Sequence, residues 1–281
     1  MRKIVIPTDF SETSINAIEY ALELFKYEKC EFIIMNAFAD EVYENTMEMC
    51  KEDFEEFKDA YQRNVDKTLQ KEIATMLGRS PNPKHTYTYE ARFGTLVDET
   101  NHIVDRDNID IVIMGTKGGT NDNNITFGSN TLQVIKYVQC PVLAVPVSYH
   151  GATPKNILFP TDYMLPFKRR ELKLLSTLAK GFVATIHMLF ITEFNGLSHR
   201  QQNNKSYVHS CFEDNETSFL KTPGKDITKG VNKVLRENDF DMLVMVNQRH
   251  SYLENILYRS TIEKIGIEIN IPFLVLQNLY R

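Results

Sequence analysis

Apolar and polar positions along this chain fall into blocks that switch between strand-like and helix-like periods. Lys3-Ile-Val-Ile-Pro7 is a short apolar run of strand character, and Ser11 then stands ahead of a helical stripe made by Ile15, Ile18, Leu22 and Phe25. Glu31 to Phe38 is a second apolar run. A long polar helix follows, with Phe54, Phe57, Tyr61, Val65, Leu69 and Ile73 on one face and an end near Gly78. Thr86 to Ala91 reads as a third strand and Leu96 to Val104 as a helix. Asp110 to Met114 is a buried strand, and an amphipathic stretch from Thr131 to Val138 leads to a last strand at 142–147. Strand and helix alternate throughout, which predicts an α/β, doubly wound parallel sheet with helices on both faces.

The same plan recurs. Lys3 to Phe10 is echoed by Asn156-Ile-Leu-Phe-Pro-Thr-Asp162-Tyr163 at an offset of 153, and Asp110 to Met114 by Asp241 to Met245 at 131. Pro272 and Ser260 match Pro141 and Ser129 at the second offset. The falling offset means that the second copy lacks about 22 residues in its middle. Leu172, Leu175 and Leu178 mark its first helix and Ala184 to Ile191 its second strand, while the polar stretch from Glu193 to Lys205 replaces the long helix. A Gly- and Pro-bearing boundary near His150 to Pro154 divides the chain into domains at 1–149 and 154–281.

Between the strand at 110–114 and the next helix lies the pattern Gly115-Thr-Lys-Gly118, nine residues, then Gly128-Ser129. Glycines let backbone amides approach a ligand, and a helix start attracts anions, so this spacing predicts a phosphate cradle with Ser129 as the helix N-cap. In the second copy Gly115, Gly118 and Gly128 become Val246, Arg249 and Arg259. The scaffold is repeated and the cradle is not.

Composition narrows the classes. Net charge of −5 argues against a general nucleic-acid binder. No apolar run approaches the ~20 residues of a membrane span, and the chain opens directly into a strand, so a cytoplasmic protein is expected. Cys30, Cys50, Cys140 and Cys211 show no paired spacing and read as reduced thiols, and the trio His199, His209 and Cys211 lacks the regular spacing of a metal site. Asp9 can be a turn former before the Ser11 cap, and its recurrence as Asp162 supports that assignment. Lys168-Arg169-Arg170 is a basic run at a helix start and reads as an exposed turn.

Four segments in order carry a resemblance: Val5-Ile-Pro-Thr-Asp9-Phe-Ser, the strand ending in Gly115, the glycine loop, and Cys140-Pro-Val-Leu-Ala-Val-Pro146. Together, and with the first and last of the second-half echoes, they resemble the universal stress protein family in its tandem form. The resemblance implies two tandem Rossmann-like, adenine nucleotide alpha hydrolase-like domains and a site for ATP, with or without Mg2+. On matching positions Pro7, Thr8 and Asp9 would border adenine and ribose, and Ala37 would give a backbone contact to adenine. Gly115, Thr116, Lys117, Gly118 and Gly119, with Gly128, Ser129, Asn130 and Thr131, would hold phosphates and ribose. The chain departs from the family pattern at Asn36, where His is common, and at Asp122, an acid in a loop that often carries a base.

These readings predict a stress-response sensor or scaffold with nucleotide in the first domain only and no catalytic residues assigned. The second domain would serve as a built-in dimer partner, paired through the last strands. A homodimer and an unidentified protein partner stay open, with no membrane or nucleic acid. The alternatives are a slow ATPase or adenylate-forming enzyme, or an interaction module that has lost nucleotide binding in both halves.

Overall fold

The computed structural model describes residues 1–116, 127–151, 153–164, 166–194, 196–247, 253 and 270–278. The first half runs β1 (Arg2–Pro7), α1 (Glu12–Leu24), β2 (Cys30–Ala37), α2 (Ala39–Thr46), α3 (Lys51–Arg79), β3 (His85–Arg92), α4 (Leu96–Asp107), β4 (Ile111–Gly115), α5 (Ser129–Tyr137) and β5 (Val142–Val145). The second runs β6 (Asn156–Pro160), α6 (Arg169–Phe182), β7 (Thr185–Ile191), α7 (His199–Cys211), β8 (Glu216–Thr222), α8 (Ile227–Glu237), β9 (Met242–Asn247) and β10 (Phe273–Gln277).

These strands form one ten-stranded sheet in the order β3-β2-β1-β4-β5-β10-β9-β6-β7-β8. All neighbours are parallel except β5 and β10 at the centre. Alternate strand residues feed two cores, as the pleat requires. Ile4 and Ile6 belong to the core that also takes buried residues of α1, α3, α6 and α7, whereas Val5 belongs to the opposite core, with residues of α4, α5 and α8.

The ladders verify the repeat residue by residue. Ile4 pairs with Ile111 and Val5 with Val112; the corresponding pairs are Ile157 with Met242 and Leu158 with Leu243. The central pairing is symmetric about one point. Leu143 faces Leu274, its own counterpart at the 131 offset, while Val142 faces Val275 and Ala144 faces Phe273. A pseudo-twofold axis therefore passes through the Leu143–Leu274 pair. All six side chains are fully buried.

The middle of each half departs from the sequence reading. The connection after β2 contains two helices, α2 of 8 residues and α3 of 29. After β7 the polar stretch read as replacing the long helix instead leads into a 13-residue helix, α7. Only Val208 of α7 is buried, so no apolar stripe announced it. The unread signal was a capping box: Ser198 Oγ accepts from Gln201 N, and Gln201 Oε1 accepts from Ser198 N at 2.9 Å. β5 stops at Val145, two residues short of the expected strand, because Pro146 brings no amide to a ladder.

The connection between the halves lies against α1. Asn16 Nδ2 donates to Pro146 O at 3.0 Å and Tyr149 O at 3.3 Å, and Asn16 Oδ1 meets His150 Nδ1 at 3.1 Å.

Candidate ligand cavity

β1 ends in a turn held by short polar side chains. Thr8 Oγ1 donates to Ser14 Oγ at 2.9 Å and accepts from Phe10 N at 3.0 Å, with Phe10 in the left-handed region at φ 62°. Asp9 Oδ1 accepts from Ser11 N and Ser11 Oγ, and Ser11 caps α1 by accepting from Ser14 N at 3.3 Å. The second half repeats the turn: Tyr163 has φ 54°, Thr161 Oγ1 accepts Tyr163 N at 3.2 Å, and Asp162 Oδ1 accepts Met164 N at 2.8 Å. Asp9 is thus a turn former whose carboxylate is also exposed at the rim.

β4 ends beside this turn. A Cβ on Gly115 would sit 2.3 Å from Thr13 Cγ2 and 2.9 Å from Thr13 O. The glycine therefore permits close packing of β4 on α1, and its missing side chain points to the helix. In the second half Val246 takes this position without conflict, because α6 begins later and Pro166, outside any helix, stands in place of Thr13.

α5 supplies the opposite wall. Gly128, with φ −64° and ψ 159°, is its N-cap, so Ser129 is the first helical residue and not the cap the spacing suggested. Gly128 N donates to Thr116 O at 2.7 Å. Thr131 Oγ1 donates to Gly115 O at 2.9 Å and Thr116 O at 3.1 Å, which ties the helix to the strand end and takes that hydroxyl away from a ligand. The first helical bond is Leu132 N to Gly128 O, so the amides of Ser129, Asn130 and Thr131 precede any helical acceptor. With the helix dipole they form an anion-seeking edge.

These walls enclose a cavity of 290 Å³ lined by Pro7, Thr8, Asp9, Ala37, Gly115, Gly128, Ser129, Asn130 and Thr131 among the sequence candidates. It sits at the carboxyl ends of β1 and β4, where the strand order reverses. Thr116 is buried behind the wall, and Lys117, Gly118 and Gly119 lie outside the described residues, as do Asp122, Arg249, Arg259 and Ser260. Asn36 Nδ2 donates to Thr8 O at 2.8 Å and so fixes the turn.

Sequence reasoning missed Asp40 and Glu41, which reach the cavity from α2. Burial raises the Glu41 carboxyl above the ordinary carboxylate range, and the charges of Asp40, Glu44 and Asp9 push it the same way. Among the described residues Glu41 Oε2 is buried without a hydrogen-bond partner. The described lining holds these carboxylates and no lysine or arginine. Its signal in the sequence was faint, since α2 is short and has no side-chain cap.

The sequence profile of the universal stress protein family matches residues 1–146. The chain belongs to the universal stress protein family. Two universal stress proteins of Methanocaldococcus jannaschii are similar to one half of it. One is 29% identical over 149 residues, covering 51% of this chain and 81% of the relative; the other is 28% identical over 158 residues, covering 51% and 94%. A solved universal stress protein from Archaeoglobus fulgidus overlays 98% of this chain and 96% of its own at a TM-score of 0.67 and 17% identity, a likeness of fold. This universal stress protein is therefore a tandem, with its two halves paired inside one chain.

The second half of this universal stress protein differs at the position of Ala37. Ladder register matches Ala37, opposite Arg92, to Ile191, opposite Thr222. Ile191 is buried, and a Cβ on Gly230 of α8 would lie 2.7 Å from Ile191 Cδ1. An isoleucine thus fills the slot that Ala37 leaves open. None of the described cysteines forms a disulfide, burial pushes the Cys30 thiol up to about 12, and no metal-binding cluster occurs among the described residues. No described helix is long and apolar enough to cross a membrane.

Proposed function

We propose that this protein binds one adenine nucleotide, ATP, in its first half and acts as a stress-response sensor or scaffold. The observation that carries the reading is one cavity holding three helix-start amides at one end and the small residue Ala37 at the other. Phosphates suit the amide end and a flat base suits the side of Ala37, Leu96 and Met114. Asp9, Asp40 and Glu41 oppose a bare polyphosphate, so Mg2+-ATP, with part of its charge neutralised, fits better than free ATP. Ile191, which fills the slot that Ala37 leaves open, supports occupancy of the first half alone. The second half then serves as a permanent partner.

Turnover is absent or very slow on this reading. Hydrolysis requires a positioned water, a base and charge stabilisation at the γ-phosphate, and the described lining adds no lysine or arginine to a bound Mg2+, which leaves Lys117, outside the described residues, as the lone cation of the loop. Mass spectrometry of the natively purified protein tests the proposal: a co-purifying adenine nucleotide supports it. Absence of nucleotide, together with no heat in a Mg2+-ATP titration, would favour a module that has lost the ligand.

A further inference from the structure

α5 carries the amides of the cavity, yet its far end is held by the other half of the chain. Gln277 Nε2 donates to Ile135 O at 2.8 Å, Asn247 Nδ2 donates to the same oxygen at 3.3 Å, and Asn247 Nδ2 also donates to Gln277 Oε1 at 2.9 Å. Asn247 and Gln277 are 5% and 3% exposed, so these bonds are made away from water. Ile135 O needs them. Its helical donor would be Gln139 N, which instead donates to Asn101 Oδ1 at 3.0 Å. Ahead of α5, Phe127 packs on Phe273 of β10, with ring centroids 5.6 Å apart and both side chains buried.

The arrangement runs one way. Under the repeat, Asn247 corresponds to Thr116 and Gln277 to Pro146. Proline has no side-chain donor, so the first half cannot return the same clamp. α5 has only nine residues, too few to be stable by itself, and its placement is set by what packs on it.

We propose that the second half is a positioning partner for the first-half cavity: Asn247, Gln277 and Phe273 hold α5 at both ends and so place the amides of Ser129, Asn130 and Thr131. These are positioning residues that touch no ligand. The inference rests on the nucleotide reading for its consequence, but the clamp itself can be measured without nucleotide.

The test uses the full chain. Gln277→Met keeps length and apolar packing while removing the donor, and Asn247→Thr copies the first-half residue as a second, milder variant. Val275→Ala, on the same strand, paired with Val142 and in the same apolar core as Val134 and Ile135, has no side-chain hydrogen bond to lose and is the control for loosened packing at the seam. Mg2+-ATP titration should show affinity reduced about tenfold in Gln277→Met, a usual size for coupling between sites, and within about twofold of the parent in Val275→Ala. Hydrogen exchange without nucleotide should show faster exchange across 129–139 in Gln277→Met and not in the control. Parent-like affinity and exchange in both clamp variants overturn the proposal. So does an equal loss of affinity in Val275→Ala. If the parent binds no ATP, the functional reading fails and the exchange result alone decides this one.

Discussion

Gly115 and Gly128 look alike in the sequence motif and do different work. Gly115 packs against Thr13, so Gly115→Ala should destabilise the fold by about 1–3 kcal/mol, the usual cost of overpacking, read as a lower midpoint in urea unfolding. Glu41 makes a separate case. Its carboxyl is raised by burial and like charges, so between the ordinary glutamate range and the raised value the folded state binds more protons than the unfolded state. Stability attributable to this group therefore falls as pH rises from the ordinary glutamate range through the raised value, and the full penalty is present above it. Glu41→Gln should raise the melting temperature at pH 7 and lose that advantage at pH 4. A gain that persists unchanged at pH 4 would show that charge is not its source. These roles were only partly legible. The motif announced glycines at a strand end, but whether a missing Cβ faces a helix or a ligand depends on α1, which arrives from a hundred residues earlier.

At the scale of elements, periodicity located every strand but β8, most of the first-half helices and α6, because each carries an apolar run or stripe. It missed α2 and α7, which are largely polar, and α8 was not read either; α2 is also how Asp40 and Glu41 enter the cavity. The junction of β4 and α5 shows a similar limit. Thr131 stood in the expected ligand set, yet its hydroxyl bonds to two carbonyls of the strand end. Thr131→Val keeps the shape and leaves those buried acceptors short of a donor. It should cost about 1–3 kcal/mol in stability, measured by thermal or urea unfolding. Ser129→Ala, which removes no cap, should leave stability nearly unchanged.

For the whole molecule, the repeat predicted pairing of the final strands, and the β5–β10 ladder realises it with twofold-related residues on a shared axis. Each half alone would expose an apolar edge, an invitation to pair with another chain. Residues 1–150 expressed alone should dimerise or aggregate, as read by light scattering, whereas a cleanly monomeric fragment would argue against the seam as a necessary cover. The one-way clamp from Asn247 and Gln277 could not be read from the repeat, because it depends on side chains that break the repeat's symmetry.

The proposed function requires one nucleotide site per chain, at the start of α5. Gly128 lies in extended backbone that any residue adopts, so Gly128→Arg should fold while placing a long side chain beside the amides. Calorimetric titration of Mg2+-ATP into the full chain and into this variant is the direct test. The account predicts a stoichiometry near one for the parent and no measurable binding for a folded Gly128→Arg. Two equivalent sites, or binding that survives in Gly128→Arg, would contradict it.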